Sequence, residues 1–278
     1  MHPTASPVAA ANATARAPAI FPVVSGIVAH CYSAHPVPGT EHTGRPPHPA
    51  RVVEVDSPPP QILEHTTGAN GELILRRTGP HHEIISNGVF LMDTRNGESE
   101  RLLVTAALDL LNRPAHLAIG GLGVGFSLAA ALRSPHTTAV TVIEKEPAVI
   151  GWHRTHLRHH SENALDDPRV HIHQADLLDW LHTTTSTYDA LCLDIDNGPH
   201  WTVTTANAAL YDDTGLRALR DRLTPGGILA IWSAGAAPAF TDRLRTHFTQ
   251  VTTRSIPVPR GEPDLVYLAT TAPPPPPV

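Results

Sequence analysis

A chain of 278 residues with 41% hydrophobic and 17% charged residues is long enough to bury a large core, and its formal net charge of −6 offers no basic surface for nucleic acid. No apolar run approaches a membrane span, since the stretch from Ala19 to Val28 is interrupted by Pro22 and Gly26, and the start of the chain lacks the basic cluster of a secretory signal. Two cysteines, Cys31 and Cys192, cannot frame a disulfide scaffold, so the expected setting is cytoplasmic.

Residues 1–55 are rich in alanine, proline, threonine and histidine and show neither a helical nor a strand period, which predicts a flexible extension. From 56 to 97 the pattern becomes that of a small antiparallel β domain. Apolar runs at 72–76, 82–86 and 89–92 alternate with turn signals at Gly79-Pro80 and Asn87-Gly88, the latter a strong hairpin signature. An amphipathic helix over 98–111 opens the main domain, 98–271. There, strands at 116–119, 138–144, 170–173, 188–194 and 228–232 alternate with helices at 125–133, 147–160, 207–223 and 238–248. Two further strands at 251–258 and 264–269 close the pattern. Such alternation predicts an α/β fold of Rossmann-like type built on a mainly parallel seven-stranded sheet. Residues 272–278 read as a polyproline tail.

The first main-domain strand runs into Gly120-Gly-Leu-Gly-Val-Gly125. Gly121, Gly123 and Gly125 remove side chains where the backbone turns sharply and a ligand approaches, and Glu144 stands about 20 residues on, where a carboxylate accepts both hydroxyls of a ribose. A dinucleotide needs a helix N-terminus for its pyrophosphate. The compressed Gly-x-Gly-x-Gly spacing suits S-adenosylmethionine, which has no phosphate, and counts against a nicotinamide-dependent oxidoreductase. Asp176, followed by Leu177, ends the third strand where it would accept from an adenine amino group, and Asp194 ends the fourth. Ligands of open α/β sheets sit outside the carboxyl ends of the strands, so the three acids are expected around one crevice. The competing reading of Asp176 is a helix N-cap. None of the 19 histidines is expected to hold a metal: His153, His156, His159 and His160 share a predicted helix without a zinc-protease pattern.

On Gly120-Gly-Leu-Gly-Val-Gly125, Val142-Ile-Glu144, Ala175-Asp176, Leu193-Asp-Ile-Asp-Asn-Gly-Pro199 and Pro225-Gly-Gly-Ile-Leu-Ala230, the chain resembles the spermidine synthase-like branch of the class I methyltransferase-fold superfamily. The resemblance implies S-adenosylmethionine or its decarboxylated form as cofactor, a small-molecule acceptor, and a homodimer paired through the N-terminal β layer, with neither nucleic acid nor membrane as partner. Asp194 matches the acid that deprotonates the attacking amine in that family, and Asp196 stands for the second acid, which binds the amine. Asn197, His200 and Tyr211 are expected to line the acceptor's mouth. The family's Tyr-x-Glu pair falls on Ser99 and Arg101, a cation where a diamine would need an anion. The expected enzyme is therefore a transferase moving a methyl or aminocarboxypropyl group from the sulfonium, or reacting the cofactor intramolecularly. Aminopropyl transfer from the decarboxylated cofactor is one alternative, and a non-catalytic cofactor-binding protein is another.

Overall fold

A computed structural model describes residues 59–259 and 261–273 of the chain; the extension expected over 1–55 and most of the polyproline tail lie outside the described residues. Four strands come first, β1 (Gln61–Gly68), β2 (Gly71–Thr78), β3 (His81–Ser86) and β4 (Val89–Asp93), paired in chain order as an antiparallel meander. Asn87 and Gly88 turn β3 into β4 at φ of 48° and 75°, the two left-handed residues that a two-residue hairpin needs. β1 carries no strand signal of its own, being exposed along almost its whole length, and forms because β2 offers it a ladder from Gln61↔Arg77 to Gly68↔Gly71.

Helix α1 (Glu98–Leu111) then delivers the chain to β5 (Ala115–Gly120). There follow α2 (Phe126–Arg133), β6 (Thr137–Glu144), α3 (Pro147–Trp152), β7 (Val170–Gln174), α4 (Leu177–Thr183) and β8 (Tyr188–Leu193). The chain ends with α5 (Asp213–Asp221), β9 (Leu223–Ser233), α6 (Pro238–His247), β10 (Gln250–Ile256) and β11 (Asp264–Thr270). The seven main-domain strands lie in the order β10-β11-β9-β8-β5-β6-β7. β5 to β9 are mutually parallel, and β11 runs antiparallel to both β9 and β10. This is the mainly parallel seven-stranded sheet that the alternation of elements implied.

Two helices differ from the sequence expectation. The one expected over 147–160 stops at Trp152, where Gly151 weakens the last turn and the His153 side chain swings toward Gly123. Beyond it the chain proceeds by turns, with the Leu157 amide donating to the Trp152 carbonyl five residues back. The helix expected over 207–223 splits into a 3-10 turn, Thr205–Leu210, and α5, which starts anew because the Asp212 carboxylate caps the amides of Thr214 and Gly215. Pro225, Gly226 and Gly227 do not terminate a helix. They form an excursion inside β9, between the pairings Tyr188↔Leu223 and Ala190↔Ile228.

The parallel strands β5, β6, β8 and β9 are buried on both faces, which explains their nearly continuous apolar runs, while edge strand β7 is largely exposed. One face packs on Leu103, Val104 and Ala107 of α1 and, beyond them, on Leu73, Leu75 and Ile84 of the N-terminal sheet; the other packs on Leu181, Leu216, Leu219 and Phe240. A histidine contact joins the N-terminal sheet to the turns after α3, His82 Nδ1 lying 3.0 Å from His160 Nε2. Among the described residues no three His, Cys, Asp or Glu side chains gather as metal ligands, and no helix is long and apolar enough to cross a membrane. Strand order reverses at β5: the chain leaves it toward β6 and β7, then returns on its other side as β8. The crevice at the carboxyl ends of β5 and β8 is thus the topological switch point at which such sheets take ligands.

Candidate active site

The glycine turn leaves β5 with Gly121, Gly123 and Gly125 at φ of 90°, 50° and 92°. Their lack of side chains also answers to the protein's own packing. A Cβ on Gly121 would stand 2.5 Å from the Asp194 carbonyl oxygen, one on Gly125 would stand 2.6 Å from Ser161 Cβ, and one on Gly123 would collide with the Met92 thioether of β4. Glu144, 8% exposed at the end of β6, braces the turn: Leu122 N–H donates to Oε2 and Glu146 N–H donates to Oε1, each at 2.8 Å. Each carboxylate oxygen keeps the capacity to accept a second bond. Burial pushes the Glu144 carboxyl above its ordinary range.

Asp176 is the N-cap of α4, accepting from Leu178 N–H at 2.9 Å, with Lys145 Nζ 3.3 Å from its other oxygen. The alternative reading of this residue is therefore realised, and its partly exposed carboxylate keeps accepting capacity toward the crevice. Leu177 is buried and lies against Gly120, forming an apolar wall at the end of β5.

Asp194, at the end of β8, sits among acids. Its carboxyl is pushed up to about 8 by desolvation first and then by the charges of Glu100, Asp264 and Asp196. Glu100 comes from the first turn of α1, accepts from Ser99 Oγ at 3.0 Å, and is itself raised by burial. Asp264 opens β11 beside Ser99 and Trp232, and burial raises it too. Three carboxylates from positions far apart in the chain thus meet at one end of the sheet.

Asp196 is held differently. Buried to 5% exposure, it accepts from Val203 N–H at 2.6 Å, Asn207 Nδ2 at 2.9 Å and Tyr211 Oη at 2.8 Å. All three donors belong to the loop that follows it, so the immediate work of Asp196 is to fold that loop. Tyr211, expected at the mouth, is 3% exposed and lies beneath the loop with its hydroxyl committed to Asp196; burial and that neighbouring charge raise its pKa well above the ordinary phenol value. Asn197 is tied to β9 through its carbonyl, which accepts from Ala234 N–H at 3.0 Å. His200 and Trp201 are exposed at the loop's rim, Trp201 at 61%.

The expectation for Arg101 needs correction. Its guanidinium lies over the Phe126 ring, 4.2 Å from the centroid, while its neighbour Glu100 turns into the acid cluster. Adjacent helical residues point about 100° apart, so only one of the two can face the crevice. A sequence signal for Glu100 exists: it shares a helical stripe with Leu103, Val104 and Ala107, all buried, and a carboxylate on the apolar stripe of a helix is rarely idle. Asp264 has no such signal, since it merely precedes an apolar run.

A seven-stranded sheet with this strand order, a glycine turn after its first strand and an acid after its second defines a class I methyltransferase-like fold. Solved structures share it. Spermidine synthase from Thermotoga maritima superposes with a TM-score of 0.63 at 17% identity, covering 76% of this chain and 73% of that one. A spermidine synthase in complex with the transition state analogue AdoDATO gives a TM-score of 0.62 at 16% identity. The family model of the spermine/spermidine synthase domain matches residues 97–252, more than half of the chain, and the chain belongs to that family. Its curated relatives include polyamine aminopropyltransferases of Mycobacterium tuberculosis, 30% identical over 176 residues, and of Prochlorococcus marinus subsp. pastoris, 24% identical over 194 residues. The first alignment covers 61% of this chain and 32% of the relative, the second 65% and 66%. The chain thus spans about a third of the length of the mycobacterial relative.

Proposed function

We propose that this chain transfers an aminopropyl group from decarboxylated S-adenosylmethionine to a small amine. The observation that carries the proposal is the meeting of Glu100, Asp194 and Asp264, three carboxylates each raised by desolvation, with Glu100 and Asp264 adding their charge at Asp194. Such a group fits cations and repels anions. A decarboxylated donor brings only its ammonium and sulfonium to these acids, whereas the carboxylated donor would add a like charge among them. Methyl or aminocarboxypropyl transfer draws its support from a cation in the amine site, and the position of Arg101 over the Phe126 ring does not supply one. The names of the curated relatives support the same reading.

Bound there, the sulfonium supplies an activated carbon and leaves as a neutral thioether. The protein's part is orientation and proton removal. Glu144, Asp176 and Leu177 hold the nucleoside, and the braced glycine turn sets its depth. Glu100 and Asp264 hold ammonium groups, and Asp194 takes the proton that the attacking nitrogen loses. Asp196, Asn207 and Tyr211 keep the covering loop in place. The proposal includes a homodimer, and the exposed Val89, Phe90 and Leu91 on edge strand β4 support it.

The test is a product assay by mass spectrometry, with decarboxylated and ordinary S-adenosylmethionine each offered putrescine, cadaverine and spermidine. Methylthioadenosine together with an aminopropylated amine, formed only with the decarboxylated donor, is the expected result. Methylated amines formed from the ordinary donor would overturn the proposal in favour of methyl transfer.

A further inference from the structure

His153 stands just past the end of α3 and is 1% exposed. Its ring lies against the glycine turn, with Nε2 2.9 Å from the Gly123 carbonyl oxygen. A carbonyl only accepts, so Nε2 carries the proton and donates it. Nδ1 is then a bare acceptor, and it is buried with no partner among the described residues. The same ring closes on the far end of the turn, since a Cβ on Gly125 would stand 2.7 Å from Cε1. Burial holds the His153 pKa below the ordinary histidine value, opposed by its bond to Gly123.

A side chain chosen only to fill this space would be apolar, because a buried nitrogen without a partner loses its hydration and gains nothing in return. The hydrogen bond to Gly123 is the return for that expense. It fixes the plane of the peptide joining Gly123 to Val124, and planarity sends the Val124 N–H to the opposite side. Glu144 performs the matching task one residue earlier, at the Leu122 amide. The turn is thereby held at alternate peptides, Gly121–Leu122 and Gly123–Val124, by an acceptor and a donor from two different elements. Met92 of β4 packs on it at Gly123.

We infer that His153 is a positioning residue of the cofactor turn, acting as a neutral Nε2–H imidazole that sets the Gly123 peptide and thereby the affinity for the nucleoside. This deepens the proposed function and rests on it for the ligand arm of the test only. Nitrogen NMR of the wild-type protein at about pH 6, near the ordinary histidine pKa, should find this ring neutral and protonated at Nε2; an Nδ1–H or charged ring would overturn the inference. In unliganded protein, His153→Leu should speed amide hydrogen exchange across residues 121–126 on the order of tenfold, and His153→Gln, whose amide can donate over a similar reach, should restore most of the protection. Equal exchange in the two variants, or no acceleration in His153→Leu, would refute a specific hydrogen-bonding role. Calorimetry with methylthioadenosine should show the affinity following the same order, with kcat of the Gln variant near wild type. If wild-type protein bound no nucleoside, the functional proposal would fail while the exchange and tautomer results still judged His153.

Discussion

The basicity of Asp194 comes from its surroundings, and so does its vulnerability. A carboxyl pushed up to about 8 is a competent proton acceptor only when ionised, so kcat/KM should climb as pH rises through about 8 and level off above it. Asp194→Asn keeps the shape and removes the base, which should lower kcat by about a hundredfold and abolish that limb in a pH–rate measurement. Glu100 and Arg101 give a sharper contrast because they are neighbours. Glu100→Gln should raise the KM for the amine by about tenfold through loss of a charge-assisted contact, whereas Arg101→Ala should leave it within about twofold; the reverse order in steady-state kinetics would return Arg101 to the site. Asp194 was legible in the sequence because strand ends in such sheets carry the chemistry. Glu100 is harder to read, because the family's residue pair falls on Ser99 and Arg101 and only the helical phase it shares with Leu103, Val104 and Ala107 turns it inward.

At the scale of elements, the loop between β8 and α5 is folded on the Asp196 carboxylate, with Tyr211 reaching back fifteen positions to it. Tyr211→Phe removes one of three donors to a buried charge, a loss of about 1–3 kcal/mol. Thermal unfolding should register part of this. Limited proteolysis near the exposed Trp201 should register the rest as faster cutting of a loosened loop. Such tertiary ties are what the sequence conceals. Apart from β1 and the early start of β9, the strands and the helices over 98–111 and 238–248 followed from periodicity and turn residues, and their observed bounds differ by only a residue or two. The early end of α3 depends on a contact between His153 and Gly123, thirty positions apart, and no local pattern records it. The excursion at Pro225, Gly226 and Gly227 likewise reflects pairing with β8, which lets β9 begin at Leu223, ahead of the strand expected over 228–232.

Two groups of titratable side chains pull the whole molecule in opposite directions as pH changes. His160, beside His82, His159, His81 and His153, is lowered to about 4 by burial first and by its neighbours' charges second. The folded state therefore binds fewer protons than the unfolded one, and stability present above 6.5 is lost as pH falls through about 4. Asp194 behaves oppositely: its folded pKa is raised, so stability present below 3.8 is lost as pH rises through about 8. Melting temperature against pH should accordingly lose its acid-side decline in His160→Gln and its alkaline-side decline in Asp194→Asn. The acid cluster also sets a limit on how robust this fold can be. Glu100, Asp194 and Asp264 are brought together only in the finished native state, and their mutual repulsion is a burden that the unfolded chain never bears. The working protein is thus held below the stability its own core could reach: neutral variants that cripple turnover, Asp264→Asn among them, should melt higher than wild type at alkaline pH, the reverse of what loss of a well-formed site ordinarily brings.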